Sequence, residues 1–286
     1  MDASSLAIAL GLFSAVTLAA ANVAVKMGAD ILVGRAILSS SAALLILPFA
    51  FLVPAPDAAT WWALLMAMPA HFVYQVCLVR SLSRGDLSLV FPVMRGTAPL
   101  LSALAAFLLL GEALPPLAIV GLLIATASVI VFALPPRGVT LRGHPDATAL
   151  FWALGTAVGV ALYNVADARG VRIAPSPFTF IVWLFLVDWI FITGAALAFR
   201  RRQLAATVRA KWRFGVAAGF LSILSFGGAL WAFSMMEVAK VSALRETAVV
   251  FAAIMGAFML KEGFGRRRIL AALTLAAGLV LMQFGR

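Results

Sequence analysis

Long apolar segments follow one another along almost the whole chain, with short polar connections between them. Each segment holds about 17–25 residues, the length that a helix needs to cross roughly 30 Å of hydrocarbon. The segments are continuously apolar and do not alternate with polar positions, which excludes membrane-spanning strands. The pattern therefore predicts an all-α, polytopic membrane protein with ten transmembrane helices. Their approximate ranges are 4–24, 31–53, 60–80, 87–110, 115–134, 149–168, 177–199, 214–234, 242–260 and 268–285.

The composition agrees with a membrane protein. Hydrophobic residues make up 64% of the 286 residues, charged residues make up 12%, and the mean hydropathy is +1.08. A soluble fold of this size would not have enough polar side chains to cover its surface. Cys77 is the single cysteine and lies within a predicted span, so a disulfide framework is excluded.

The basic residues are distributed unequally between the two sides of the membrane. Of the 22 Lys and Arg residues, 15 fall in predicted loops on one side, and three lie within spans. The positive-inside rule places the basic side in the cytoplasm and both termini on the non-cytoplasmic side of a cell (inner) membrane. The net charge of +11 therefore predicts topology and not a nucleic-acid partner. The four basic residues on the other side are Arg169, Arg172, Lys240 and Arg286.

One sequence unit occurs twice. Arg95 and Glu112 are separated by the same spacing as Arg245 and Glu262, with a constant offset of 150 residues between the copies. Internal self-similarity of this kind indicates a duplicated structural unit. We predict a first five-helix repeat over residues 1–136 and a second over residues 137–286. The other matched pairs are Thr97 with Thr247, Ala98 with Ala248, Ala103 with Ala253 and Leu110 with Leu260.

The two repeats are predicted to have opposite orientations, because five spans is an odd number. The loop charges agree, since the uncharged ALPPL follows Glu112 whereas GFGRRR follows Glu262. A second match, Asn22-Val23-Ala24 with Asn164-Val165-Ala166, supports the pairing of the first and sixth spans. Inverted repeats place a substrate site near the midplane, and the related halves move around it in alternating access.

The chain resembles the drug/metabolite transporter superfamily, in its ten-helix EamA-type branch. The resemblance rests on SLSRGDLSLVFPVMRGTAPLLSALAAFLLLGEALPP, on its counterpart SMMEVAKVSALRETAVVFAAIMGAFMLKE, and on Lys26 and Arg35 around the first connection. It covers essentially the whole chain. The resemblance implies export of amino acids or related compounds, because the family members whose sequences look similar to this chain are amino-acid and aromatic-metabolite exporters.

Polar residues in the third predicted span form a candidate substrate-binding face. His71, Tyr74 and Gln75 are spaced so that they share one side of a helix. A polar stripe is unfavourable against lipid, so we expect this face to point to the interior. Two interpretations stay open: a cavity lining with His71 as ligand or proton acceptor, or a hydrogen-bonded contact between helices.

Further substrate-binding candidates lie in three other spans. Tyr163 and Asn164 belong to the sixth span, and Asn22 is the counterpart of Asn164 in the first. They either contact a substrate or bond to a neighbouring helix. Trp231, in the eighth span, either stacks on a substrate ring or packs against neighbouring side chains.

The repeated arginines have a structural and a functional interpretation. Seventeen residues at 1.5 Å each separate Arg95 from Glu112 by about 25 Å, which places Arg95 near one membrane boundary and, by inversion, Arg245 near the other. Both side chains can then extend to the lipid headgroups. Alternatively, they flank the mouths of a cavity and bind substrate carboxylates.

Asp188 is the coupling candidate. It lies in the middle of the seventh span, between Trp183 and Trp189. A carboxylate at that depth must be paired, protonated or exposed to water. Lys26 and Arg35 are candidate structural partners for it.

These features favour a secondary transporter of small organic metabolites. The chain carries no GxxxxGK[ST] phosphate loop, so ATP hydrolysis by the chain itself is excluded. A membrane enzyme is disfavoured because the acids are scattered and only two histidines occur. A non-transporting scaffold is disfavoured by the cost of polar groups inside the spans. The main alternative within transport is efflux of cationic amphipathic drugs, which would depend on Asp188. We expect a monomer without a cofactor, with the lipid bilayer and a small-molecule substrate as partners.

Overall fold

The computed structural model describes residues 2–25, 30–84, 87–133, 147–251 and 266–284. Throughout these ranges the regular secondary structure is helical, and they contain no strand. The helices are α1 (Ala3–Val25), α2 (Ile31–Ile46), α3 (Ala58–Arg84), α4 (Leu87–Leu110), α5 (Pro116–Ala133), α6 (Ala147–Ile173), α7 (Pro177–Ser222), α8 (Gly228–Phe233), α9 (Val238–Glu246) and α10 (Arg266–Phe284). The prediction of an all-α fold is confirmed.

Within the described residues, six helical segments are long and apolar enough to cross a membrane. Two shorter apolar helices, over Pro116–Val131 and Ile269–Gln283, belong to α5 and α10. The chain is thus a multi-pass membrane protein, whereas the number of ten spans and the inverted repeats stay predictions. Lys26, Glu262, residues 252–260 of the ninth predicted span and the predicted repeat boundary at 136/137 lie outside the described residues.

The connection predicted between the seventh and eighth spans is helical. α7 continues through the basic segment 200–213, with non-helical backbone angles at Arg200 and at Lys211. A π-helical segment, Ile223–Gly227, then joins α7 to α8. A π-helical turn inserts an extra residue into the helical hydrogen-bond pattern and shifts the side chains that follow it.

The chain divides into two compact units that do not coincide with the predicted repeats. The first unit comprises Met1–Phe72 and Ala166–Met235, and the second comprises Val73–Val165 and Met236–Arg286. Within the first unit α2 packs along α7, and within the second α5 packs along α10. Because the unit boundaries fall inside α3 and α6, each of these helices contributes residues to both units.

Local sequence explains the geometry of α3, which carries the predicted polar face. Its start is capped by Asp57, whose Oδ1 accepts hydrogen bonds from the Thr60 backbone N–H at 2.8 Å and the Thr60 hydroxyl at 2.6 Å. These two bonds lower the pKa of Asp57, since they stabilise its ionised form. Pro69 lies inside α3 and has no N–H to donate to the Leu65 carbonyl, so the helix is locally weakened two residues before His71.

Glu112 connects the end of α4 to the start of α9 within the second unit. Gly111 ends α4 with a φ of +70°, a backbone conformation that glycine adopts without strain. The Glu112 carboxylate that follows accepts a hydrogen bond from the backbone N–H of Val238 at 2.8 Å. This bond satisfies a donor at the start of α9, which gives Glu112 a structural role.

Glycines on α6 and α7 allow close approach of neighbouring helices. A Cβ at Gly159 would lie 2.7 Å from the Tyr74 Cα on α3, in the second unit. A Cβ at Gly219 would lie 2.7 Å from the Ala42 backbone N on α2, in the first unit. Real side chains do not approach backbone this closely, so only glycine permits these contacts.

We predict that Gly219→Ala lowers the thermal unfolding temperature in detergent, because the added methyl group forces α2 and α7 apart. Overpacking of this kind costs about 1–3 kcal/mol. Gly194→Ala is the matched control on the same helix, since a Cβ there meets nothing within 4 Å. It should be neutral or slightly stabilising, because Ala favours a helix over Gly by about 1 kcal/mol. Equal melting temperatures for the two variants would contradict the close approach.

Candidate functional site

The first polar cluster, the His71 triad, consists of His71, Asp167 and Asp188 in the first unit. The His71 Nε2 lies 3.0 and 3.1 Å from the two carboxylate oxygens of Asp167. The opposite ring nitrogen, Nδ1, lies 3.5 Å from Asp188 Oδ1. Asp167 is fully buried and His71 nearly so, whereas 23% of the Asp188 side chain is exposed. One imidazole therefore lies between two carboxylates that come from α6 and α7.

An aromatic ring packs against His71, and a second ring packs against the first. The Phe226 ring packs edge-on against the His71 ring at a centroid distance of 5.8 Å, and against Phe185 at 6.1 Å. Phe226 belongs to the π-helical segment, so the helical irregularity places its ring beside the imidazole. The Arg35 guanidinium of α2 lies within electrostatic range of His71. The triad is thus a charged group in apolar surroundings, where charge interactions are strong.

The second polar cluster, the Arg95 cluster, lies in the second unit. The Arg95 Nε lies 3.3 Å from Glu246 Oε2, which joins α4 to α9. Glu246 is almost completely buried, while 21% of the Arg95 side chain is exposed. We did not predict this pair from the sequence, since the depth of Arg95 had suggested extension to headgroups. Arg245, its repeat counterpart, is buried beside Glu246 in the chain.

Two tyrosines belong to the Arg95 cluster. Tyr74 and Tyr163 pack edge to face at a centroid distance of 5.1 Å. Both phenols lie within electrostatic range of Arg95. The Tyr74 backbone can reach α6 because Gly159, one helical turn before Tyr163, has no side chain. The close approach of α3 and α6 therefore brings the two rings together near the guanidinium.

Asn164 adds a buried hydrogen-bonding group to the second unit. Its Nδ2 donates to Ser102 Oγ at 3.1 Å and to Ser242 Oγ at 3.4 Å. The Ser242 hydroxyl donates to Ser102 Oγ at 3.4 Å. Asn164 Oδ1 is buried and accepts no hydrogen bond from the parts of the chain that the structure covers. A buried amide oxygen of this kind is suited to receive a donor.

The structure places the remaining predicted residues as follows. Gln75 is buried on α3, beside Tyr74 in the second unit, whereas His71 belongs to the first. Trp231 is half-buried, and its ring packs against Phe178 at 5.1 Å. Asn22 lies on α1, and its side chain is outside those described. The role of each candidate in substrate binding stays a prediction.

Sequence reasoning missed Asp167 and Glu246 as site residues. Asp167 is fully buried, and its carboxylate lies against His71. Both residues could have been recognised in the sequence, because each is an acid inside or next to an apolar segment. Asp167 follows Asn164 by three residues, and Glu246 follows Arg245 directly. Groups of three or more His, Cys, Asp or Glu that could hold a metal do not occur in the described ranges.

Comparisons with known proteins agree with this architecture. Residues 147–284 match the model of the EamA-like transporter family. One solved structure, described as "Crystal structure of protein", is similar with a TM-score of 0.78, and the match covers 98% of this chain and 96% of that chain. At 18% identity it shows a shared fold alone. No curated protein matches the chain.

The match to this family suggests that the chain is a membrane transporter of small molecules. Members of the EamA-like family are membrane transporters of small molecules and not enzymes. The predicted resemblance to EamA-type transporters is confirmed. The two polar clusters are accordingly the candidate sites for substrate and coupling.

We predict that Arg95→Gln destabilises the protein more than the double variant Arg95→Gln/Glu246→Gln. Removing one partner of a buried ion pair costs about 3–5 kcal/mol, because the other charge is left in an apolar environment. The partial exposure of Arg95 places the cost near the lower end of that range. Thermal unfolding of both variants and of Glu246→Gln completes a double-mutant cycle. Additive effects in that cycle would mean that the two side chains do not interact.

Proposed function

We propose that the protein is a secondary transporter that moves amino acids or related compounds by alternating access. The observation that carries the proposal is the Arg95–Glu246 pair, a guanidinium and a carboxylate 3.3 Å apart in a largely buried position. An amino acid presents the complementary charges, a carboxylate and an ammonium group, on one carbon atom. Buried ionisable groups in membrane helices are costly, and substrate binding is a function that offsets the cost.

The arrangement of donors and acceptors suits such a zwitterion. The contact with Glu246 uses the Arg95 Nε, which is one of five guanidinium donors, and the planar group can bind a carboxylate through two parallel bonds. Glu246 and the Asn164 amide oxygen are acceptors for an ammonium group. Tyr74 and Tyr163 offer aromatic faces and hydroxyls for a side chain. All five residues lie within the second unit.

The predicted inverted repeats support alternating access as the mechanism. Each repeat would contribute related helices on the two sides of a central site, and the exchange of their arrangements would expose the site to either side. We propose the cytoplasm for the basic loops and the non-cytoplasmic side for both termini, in a cell (inner) membrane. Export would then carry substrate toward the side of the termini.

We predict that proteoliposomes containing the purified protein take up or exchange labelled amino acids. The panel should also contain cationic dyes, the amides of the same amino acids, which lack the carboxylate, and the corresponding deaminated acids, which lack the ammonium group. Competition by the intact amino acid alone would support a site for both charges. Flux of dyes without flux of amino acids would favour the alternative of cationic drug efflux, and flux of neither would sink the transporter proposal.

We further predict that Arg95→Gln/Glu246→Gln recovers stability without recovering transport. Charge-assisted hydrogen bonds contribute about 1.5–3 kcal/mol, so loss of the guanidinium should weaken substrate affinity roughly 10- to 100-fold. Arg95→Lys is the matched control for charge, since it keeps the cation but loses the bidentate geometry. A stable double variant with parental transport would assign the pair to structure alone.

Topology has its own test. A fluorescent protein that folds only in the cytoplasm should stay dark at the C-terminus, whereas a phosphatase active only outside the cytoplasm should be active there. The reverse result would overturn the predicted orientation. Fusions within the basic segment 200–213 provide the control, because that segment is expected on the cytoplasmic side.

A further inference from the structure

Two carboxylates face the two nitrogens of one buried imidazole in the His71 triad. Asp167 lies 3.0 Å from Nε2 and Asp188 lies 3.5 Å from Nδ1. We propose that the triad is a proton-binding site, and that uptake and release of its proton drive the transport cycle. This inference rests on the proposed transporter function and adds the coupling ion to it.

The geometry favours a proton over a metal cation. The two ring nitrogens point away from each other, so Asp167 and Asp188 lie on opposite sides of the ring. A metal ion would need the imidazole and both carboxylates to converge on one point. A proton on the ring has no such requirement, because imidazolium donates one hydrogen bond from each nitrogen.

The proton content of the triad decides whether both contacts can exist together. Neutral imidazole has one N–H and one lone pair, so a neutral His71 between two ionised carboxylates would set a lone pair against a carboxylate oxygen. With Arg35 in electrostatic range, the four charged or titratable groups sum to zero when His71 is protonated and to minus one when it is not. An apolar environment strongly favours the balanced state. Loss of the proton therefore weakens one of the two contacts.

When one contact of His71 weakens, the two helices that this contact joins are held together less strongly. The Nε2 contact joins α3 to α6, and the Nδ1 contact joins α3 to α7. Two irregularities lie next to these contacts: Pro69 in α3, and the π-helical segment that carries Phe226. Both interrupt regular backbone hydrogen bonding, where helices bend most readily. A change of one proton can thus alter helix packing within the first unit.

Proton binding can be measured directly, because the chain has only two histidines. In a His144→Gln background, isotope-labelled histidine reports His71 alone by NMR in detergent or nanodiscs. We expect Asp167→Asn and Asp188→Asn to move the pH midpoint of the His71 signal downward, by about one unit or more for Asp167→Asn. Asp30→Asn is the matched control, since Asp30 pairs with Arg200 and an asparagine keeps its helix cap. A midpoint that neither triad variant moves would overturn the proposal.

Transport tests the coupling separately. Proteoliposomes are loaded with labelled amino acids and assayed with and without an imposed pH difference. The flux with the pH difference, divided by the flux without it, should exceed one in the parent protein and fall to one in His71→Gln and in Asp188→Asn. Unfolding temperatures confirm that each variant is folded. Flux that ignores the pH difference in the parent would overturn coupling and leave the transporter proposal standing. Absence of any flux would sink the transporter proposal, and the NMR titration would then decide whether the triad binds a proton.

Discussion

The requirement that charge inside an apolar membrane protein must be compensated determines the arrangement of both polar clusters. An isolated ion buried in hydrocarbon costs several kcal/mol even after relaxation, so each charged side chain needs a partner at hydrogen-bond distance. His71 meets Asp167 and Asp188, and Arg95 meets Glu246. In each cluster the partners come from different helices, so compensation of charge also sets which helices must be neighbours.

Close contact between helices is what allows these partners to meet. Gly159 lets α6 approach the backbone of α3 at Tyr74, and that approach brings Tyr74 and Tyr163 together. Pro69 and the π-helical segment have the opposite local effect, since each removes regular hydrogen bonds beside His71. The second unit thus has a polar cluster at a close helix approach, whereas the cluster of the first unit lies beside two helical irregularities. A transporter needs both a defined binding site and helices that can rearrange.

The positions of the helices could be predicted from this sequence far better than the partners of the buried polar side chains. The continuous apolar segments located α1, α3, α4 and α5 to within about four residues at each end, because membrane thickness limits helix length. The predicted second span extends beyond the end of α2 at Ile46, and the predicted sixth span ends before α6 does. The segment 200–213 was predicted as a loop from its charge, yet it is largely helical, since Arg, Ala, Gln and Leu are good helix formers. The pairing of His71 with Asp167 joins residues 96 apart in the chain. Spacing within one helix carries no information about such a pair, because it depends on how helices pack.

An asymmetry in the duplicated unit explains why Arg95 has an acidic partner. Arg95 and Arg245 correspond at the offset of 150 residues, but the next position is Gly96 in one copy and Glu246 in the other. A side chain at Gly96 would collide with Ile130, so the first copy has no room for the acid. The second copy supplies it, and Glu246 reaches Arg95. If the two copies were identical at this position, either both arginines would be followed by an acid or neither would be. The difference between the two predicted copies at this position therefore leaves one mixed pair of opposite charges, which is the arrangement that the proposed zwitterionic substrate requires.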